Sequence, residues 1–168
     1  MRRTISSLLV LAMAGCTFGF AGGGLPPAIR TVAVMPFDNV TADPTLAQAV
    51  NLAVKQAIES RLGLHAAPKD QADALVTGKV TRYEPDEPLQ YVGTQSTAGA
   101  PNTVNVTRRQ VELSVDITVT DQHTGKTLWD GRNQTVQGDY DPGREQDGRK
   151  KALDLLVTKV IQGVQQNW

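Results

Sequence analysis

The sequence predicts an α+β fold, a four-stranded mixed sheet with two helices packed on one face in the order β-α-β-β-β-α. Three patterns carry that expectation. Val111, Leu113, Val115, Ile117 and Val119 alternate with Glu112, Ser114, Asp116, Thr118 and Thr120, which describes a half-buried antiparallel strand. Two other stretches repeat apolar residues every three or four positions, the period of an amphipathic helix. A twisted sheet with both helices on one face then satisfies every apolar stripe at once.

The elements follow in order. Arg30-Thr31-Val32-Ala33-Val34-Met35-Pro36 is a β-rich run, ended by a proline that cannot donate to a ladder. Asp43 as N-cap and Pro44 at the first helical position open a helix over Pro44–Leu62. Its stripe is Leu46, Ala49, Val50, Ala53, Val54, Ala57, Ile58 and Leu62, and Gly63 is a natural stop. Alternation marks Ala74 to Tyr83 as the second strand, after a connection long enough for a right-handed crossover between parallel strands. The stretch from Glu84 to about Thr103, rich in Pro, Gly, Ser and Thr, reads as a loop. Beyond the clear strand, Asp121 to Gly125 form a turn and Lys126 to Val136 return as its partner. Asp141-Pro142 repeats the capping signature. Leu153, Leu156, Val157, Val160, Ile161 and Val164 make the stripe of a C-terminal helix, whose start Gly143 and Gly148 leave open. The second sheet face, with Glu112, Asp116 and Thr118, is left to water or to a partner.

The N-terminus reads as an export signal. Met1-Arg2-Arg3 is a positive n-region, and the apolar run from Ile5 to Ala14 is far shorter than the roughly 20 residues of a spanning helix. Met13-Ala14-Gly15-Cys16 resembles a bacterial lipobox, in which the thiol is acylated and the chain is cut before it. Residues 1–15 are thus expected to be a signal peptide, 16–27 a lipidated Gly/Pro-rich tether, and 28–168 a single domain. Two or more acyl chains hold a protein stably on a membrane where one does not. Thr17, rather than Asp, follows the cysteine and favours outer-membrane sorting.

Composition narrows the chemistry. Hydrophobic residues at 40% and charged residues at 20% place the chain among globular proteins. Basic and acidic residues balance at 17 each, and loss of Arg2 and Arg3 tips the mature chain to the acidic side. That is no electrostatic footprint for nucleic acid. Two histidines and one cysteine give no raw material for a His/Cys metal site or a cystine framework. Gly125-Lys126-Thr127 looks like the end of a phosphate loop, but it joins two strands and Thr120 sits where that loop needs glycine. His65 and His123 lie beside turns without acidic or nucleophilic groups at motif spacing. Asp139-x-Asp141-x-Gly143-x-Glu145 faintly suggests calcium, but helix capping by Asp141 explains it more simply. Asp86 and Glu87, between two prolines, read as solvated charges. No cofactor and no catalytic residue is expected.

As a whole, the chain resembles a family. Leu25-Pro26-Pro27-Ala28-Ile29-Arg30-Thr31-Val32-Ala33-Val34-Met35-Pro36-Phe37-Asp38-Asn39-Val40-Thr41 starts soon after the lipidated cysteine. Ala72-Asp73-Ala74-Leu75-Val76-Thr77-Gly78-Lys79-Val80 and Tyr83 follow, then Asp121-x-x-Thr124-Gly125-Lys126-Thr127-Leu128-Trp129. In this order and spacing they resemble LptE, the lipopolysaccharide-assembly lipoprotein of the outer membrane. The first block also resembles curli-secretion and penicillin-binding-protein-activator lipoproteins; the later two favour LptE. The resemblance implies a non-enzymatic plug in the lumen of the β-barrel LptD, aiding that barrel's assembly and contacting lipopolysaccharide. It also implies the fold derived above. Arg108, Arg109 and Lys126 lie near strand ends and are candidates to meet phosphates. The alternatives are an activator of a peptidoglycan synthase, for which a tether of about a dozen residues reaching roughly 40 Å is short, and a curli-type secretion subunit.

Overall fold

A computed structural model describes residues 26–94 and 103–166. The expected signal peptide, Cys16 and nearly all of the expected tether therefore lie outside the described residues. The elements are β1 (Thr31–Val34), β2 (Asp38–Asn39), α1 (Leu46–Leu62), β3 (His65–Ala66), β4 (Ala74–Thr94), β5 (Thr103–Asp121), β6 (Thr127–Tyr140) and α2 (Glu145–Gln166). The sheet runs β3-β1-β4-β5-β6, and β2 also pairs with β4. β1 and β4 are parallel, so the connection carrying α1 is a crossover. β4, β5 and β6 form an antiparallel meander.

The α+β class and the two helices on one face are as the sequence predicts. Two strands of two residues each, β2 and β3, are additional. They were too short to show any periodicity. α1 starts at Leu46 because Asp43 turns its carboxylate onto the Thr45 N–H (2.8 Å) and hydroxyl (2.7 Å), an Asx turn rather than a cap of the first helical turn. It stops at Gly63, in the left-handed region at φ 66°. Likewise Asp141 closes a turn with the Arg144 N–H, and α2 begins at Glu145.

The larger correction concerns 84–103. The expected loop is instead the continuation of β4 along β5, within the three-stranded meander as far as Pro88 and as a two-stranded ribbon from Gln90, with only residues 95–102 outside the described part. Pro85 and Pro88 suggested a break. They are tolerated because β1 and β2 pair with β4 only as far as Val80, leaving an edge where a missing N–H breaks no ladder bond. Register shifts at Val80/Arg82, Glu84/Glu87 and Pro88/Gln90 absorb the irregularity as bulges.

One core lies between sheet and helices. Val111, Leu113, Val115, Ile117 and Val119 are all buried, as their alternation requires. α1 adds Leu46, Val50, Val54, Ala57 and Ile58, and α2 adds Leu156, Val157, Val160, Ile161 and Val164. α2 comes closest to the sheet where Gly148 meets Gly138, and again where Gly163 meets the buried Trp129 ring. A Cβ at Gly138 would overlap the Gly148 carbonyl, so this approach requires that no side chain be present.

Candidate functional site

The polar face of β4–β5–β6 carries a connected set of side chains. Ser114 and Thr135 share a hydroxyl–hydroxyl bond of 2.8 Å, and Gln137 Nε2 donates to Glu112 at 2.9 Å. Arg82 stands among Glu112, Glu84 and Glu87 at 3.4, 3.7 and 3.7 Å. Gln110 Nε2 also reaches Glu87, at 3.0 Å. Neither helix covers this face. It presents rigid, hydrogen-bonded polar groups rather than apolar area.

At the ribbon's base the face adjoins a cleft of about 470 Å³, between the end of β6 and the first turns of α2. Arg108, Tyr140, Arg144, Lys150 and Lys151 line it, with Asp141, Asp147 and Asp154. Arg108 pairs with Asp139, whose other oxygen takes Lys151 at 3.2 Å. Arg108 Nε is buried without a hydrogen-bond partner. Arg144 pairs with Asp147 at 2.7 Å. With Asp139 included, cations and carboxylates are equal in number, so an incoming anion would exchange for a carboxylate rather than fill an empty positive field.

The structure spreads the three expected phosphate contacts over different places. Arg108 is in the cleft. Arg109, its neighbour in the strand, pairs with Asp86 on the ribbon. Tyr140 closes this corner, its single hydroxyl hydrogen shared between the Pro85 carbonyl (2.7 Å) and Asp86 (3.0 Å). Burial, and then the Asp86 carboxylate, push that phenol up to about 12, so it remains a donor. Asp86 is therefore held by two partners rather than being a free solvated charge. Lys126 sits in the β5–β6 turn, beyond Asp121 and thirteen residues along β5 from Arg108. At about 3.3 Å per residue the two are roughly 40 Å apart. Gly125, at φ 69°, makes this a hairpin turn and not a phosphate loop.

Beside that turn, His123 Nε2 meets Asp73 Oδ1 at 2.9 Å. Asp73 Oδ2 accepts from the N–H groups of Arg30 and Thr31, both at 2.9 Å, and from the Thr31 hydroxyl at 2.8 Å. This clasp joins β1, β4 and the hairpin. Sequence spacing could not reveal it, because its members are 42 and 50 residues apart. Arg144, Lys150 and Lys151 were also missed; as helix-surface charges they carry no signal until β5 and β6 are seen beside them. Asp139, weighed for calcium, is taken by Arg108 and Lys151. Among the described residues, no group of three or more His, Cys, Asp or Glu is placed to hold a metal ion, and no helix is long and apolar enough to cross a membrane.

Residues 29–165 match the family model LptE, described as lipopolysaccharide-assembly. No curated protein sequence matches the chain. Among solved structures, protein XCC0632 from Xanthomonas campestris is similar with a TM-score of 0.55 at 13% identity, over 86% of this chain and 90% of that one. The PelC dodecamer from Paraburkholderia phytofirmans gives 0.52 at 15% identity, over 86% and 95%. These two likenesses are of fold.

Proposed function

The chain belongs to the LptE family of lipopolysaccharide-assembly proteins, and on that premise we propose that it is the plug and assembly partner of an LptD-like β-barrel. In this reading it is held at the outer membrane by acyl chains on Cys16, contacts lipopolysaccharide or a related glycolipid, and works by binding without turnover. The observation that carries the proposal is the uncovered polar face of β4–β5–β6. Barrel interiors are polar, and a domain lodged there needs a stiff hydrated surface. Exposed Arg82 and Gln137, both held by Glu112, supply one, and the bond of the buried Ser114 to Thr135 stiffens it from beneath. Glycolipid phosphates would meet Arg108 together with Arg144 and Lys150 in the cleft, by exchange of carboxylate for phosphate. Arg109 would act there through Asp86, and Lys126 would meet the partner at the other end of the sheet.

The test adds purified barrel to the lipid-free domain under conditions that preserve both folds. Association is expected, and Glu112→Lys should abolish it while leaving the circular dichroism unchanged. No association of the unaltered domain would end the plug reading and put the synthase activator first.

A further inference from the structure

β6 is an edge strand of 14 residues; the opposite side of the sheet ends on the two-residue β3 and, beyond Val80, on the bulged and proline-bearing stretch of β4. A long exposed edge is a template for another strand. The contacts of β6 show which of its backbone groups face outward. Thr135, Gln137 and Asp139 pair with Ser114, Glu112 and Gln110. The Thr135 and Ser114 hydroxyls approach to 2.8 Å, the close side-chain approach of a non-hydrogen-bonded pair. The Thr135 carbonyl accepts from Lys159 Nζ at 2.7 Å, and the Asp139 carbonyl from Lys151 Nζ at 2.8 Å. The N–H and C=O groups of 135, 137 and 139 therefore point away from β5. Two of those three carbonyls are capped by ammonium groups from α2. Lys151, Leu155 and Lys159 follow at intervals of four, one stripe along the helix. Leu155 is 49% exposed between the lysines. Toward the other end of β6, Asn133 at φ 52° forms a bulge that bends the edge.

We propose that β6 is a masked strand acceptor, complementary to the β6 of a second copy of this chain and kept from it by Lys151 and Lys159. Two β6 edges related by a two-fold axis present the same outward groups to each other. In that arrangement the 135–139 ladder would pair antiparallel and Leu155 of each copy would face the seam. Four ammonium groups would be brought to the same seam against two Asp139 carboxylates that Arg108 already shares, leaving a net positive charge on each side, and the two capped carbonyls of each copy would have to be released first. Like charges so placed oppose association, so the edge stays open without pairing. The domain then meets its partners through side chains rather than by adding a strand.

The experiment measures the mass of the full chain by sedimentation equilibrium in density-matched detergent. Lys151→Met with Lys159→Met keeps the stems and the helix propensity but removes both charges. The unaltered chain is expected to be a monomer, and the double variant a dimer of twice its mass at the same concentration. Lys55→Met with Lys69→Met, two exposed lysines elsewhere, should remain monomeric. Gln137→Pro added to the double variant should restore the monomer, since the lost N–H is an outward one. Should that proline unfold the chain, Gln137→Cys replaces it and should cross-link two copies through residue 137 in the double variant and not in the unaltered background. A monomeric double variant, a dimeric unaltered chain, equal dimerisation of the Lys55/Lys69 control, or a dimer that neither ends with Gln137→Pro nor cross-links through residue 137 would each overturn the proposal.

Discussion

Asp73 receives four hydrogen-bonding groups, and they set the sign of a pH dependence. Its carboxyl is held well below the usual carboxylate range, first by His123, then by the N–H of Arg30 and the hydroxyl and N–H of Thr31. The same contact with Asp73 raises His123. A depressed carboxyl contributes stability above its unfolded value, and this is lost as pH falls through the folded one. A raised imidazole contributes below its unfolded value, and this is lost as pH rises through the folded one. The clasp is therefore strongest between about pH 4 and 6.5, the ordinary values of Asp and His. His123→Gln should lower the thermal midpoint more at about pH 5.5 than at about pH 8.5. Equal losses at the two pH values would show that the pair does not carry opposite charges in the fold. A second comparison concerns adjacent residues of β5. Val115→Asp buries an unpaired carboxylate at a fully buried position and should cost several kcal/mol, enough to unfold a small domain. Alternation alone would make Asp116→Ser nearly neutral. However, Asp116 Oδ1 accepts from the Asn133 N–H at 2.6 Å, where the bulge needs its positive φ. Denaturant melts should therefore show a loss of about 1 kcal/mol for Asp116→Ser.

Contacts between elements are most demanding where backbone meets backbone. A methyl at Gly138 would overlap the Gly148 carbonyl and press on the Ala152 N–H, neither of which can rotate aside. Gly138→Ala should therefore lift α2 from β6 and cost about 3 kcal/mol or more, despite the lower unfolded-state entropy of alanine. A thermal midpoint unchanged by that substitution would mean that the helix does not lie this close. The ribbon is the opposite case. From Gln90 of β4, opposite Arg108 of β5, to the tip, the two strands pair only with each other. Leu89, Tyr91 and Val92 are exposed on it. Two strands alone are marginal in water, and apolar side chains left outside the core suit contact with a barrel wall or a bound glycolipid. Deleting Leu89 to Pro101 should leave the far-ultraviolet spectrum and melting of the remaining domain close to those of the full chain, while weakening co-purification with the barrel. Loss of the domain's cooperative melt would place the ribbon in the folding core instead.

For the molecule as a whole, the described residues form one body built around a single core. β1 starts at Thr31, so only a short stretch separates the domain from Cys16. In the proposed reading, a domain held at the membrane by acyl chains on Cys16 needs no longer tether. Cys16→Ser should abolish palmitate labelling and move the protein from the membrane fraction to the periplasm. Labelling that persists in this variant would refute the lipobox. The domain turns its helices and core one way and its polar sheet face the other, so a single partner can cover that face without disturbing the core.

The class of fold, the identity of both helices and the inward face of β5 were written in local periodicity, because a helix or a half-buried strand must place apolar residues every 3.6 or 2 positions wherever it packs. The order of blocks carried the family for the same reason, since each block is a contiguous run. Tertiary structure alone decided the rest. Residues 84–94 became strand because their neighbours across β5 outweigh two prolines at an edge. The clasp at Asp73, the Arg108–Asp139–Lys151 contact and the lysine caps on β6 join residues between 12 and 50 positions apart. No period links such residues. Their chemistry exists only once the sheet has aligned its strands and set α2 across them.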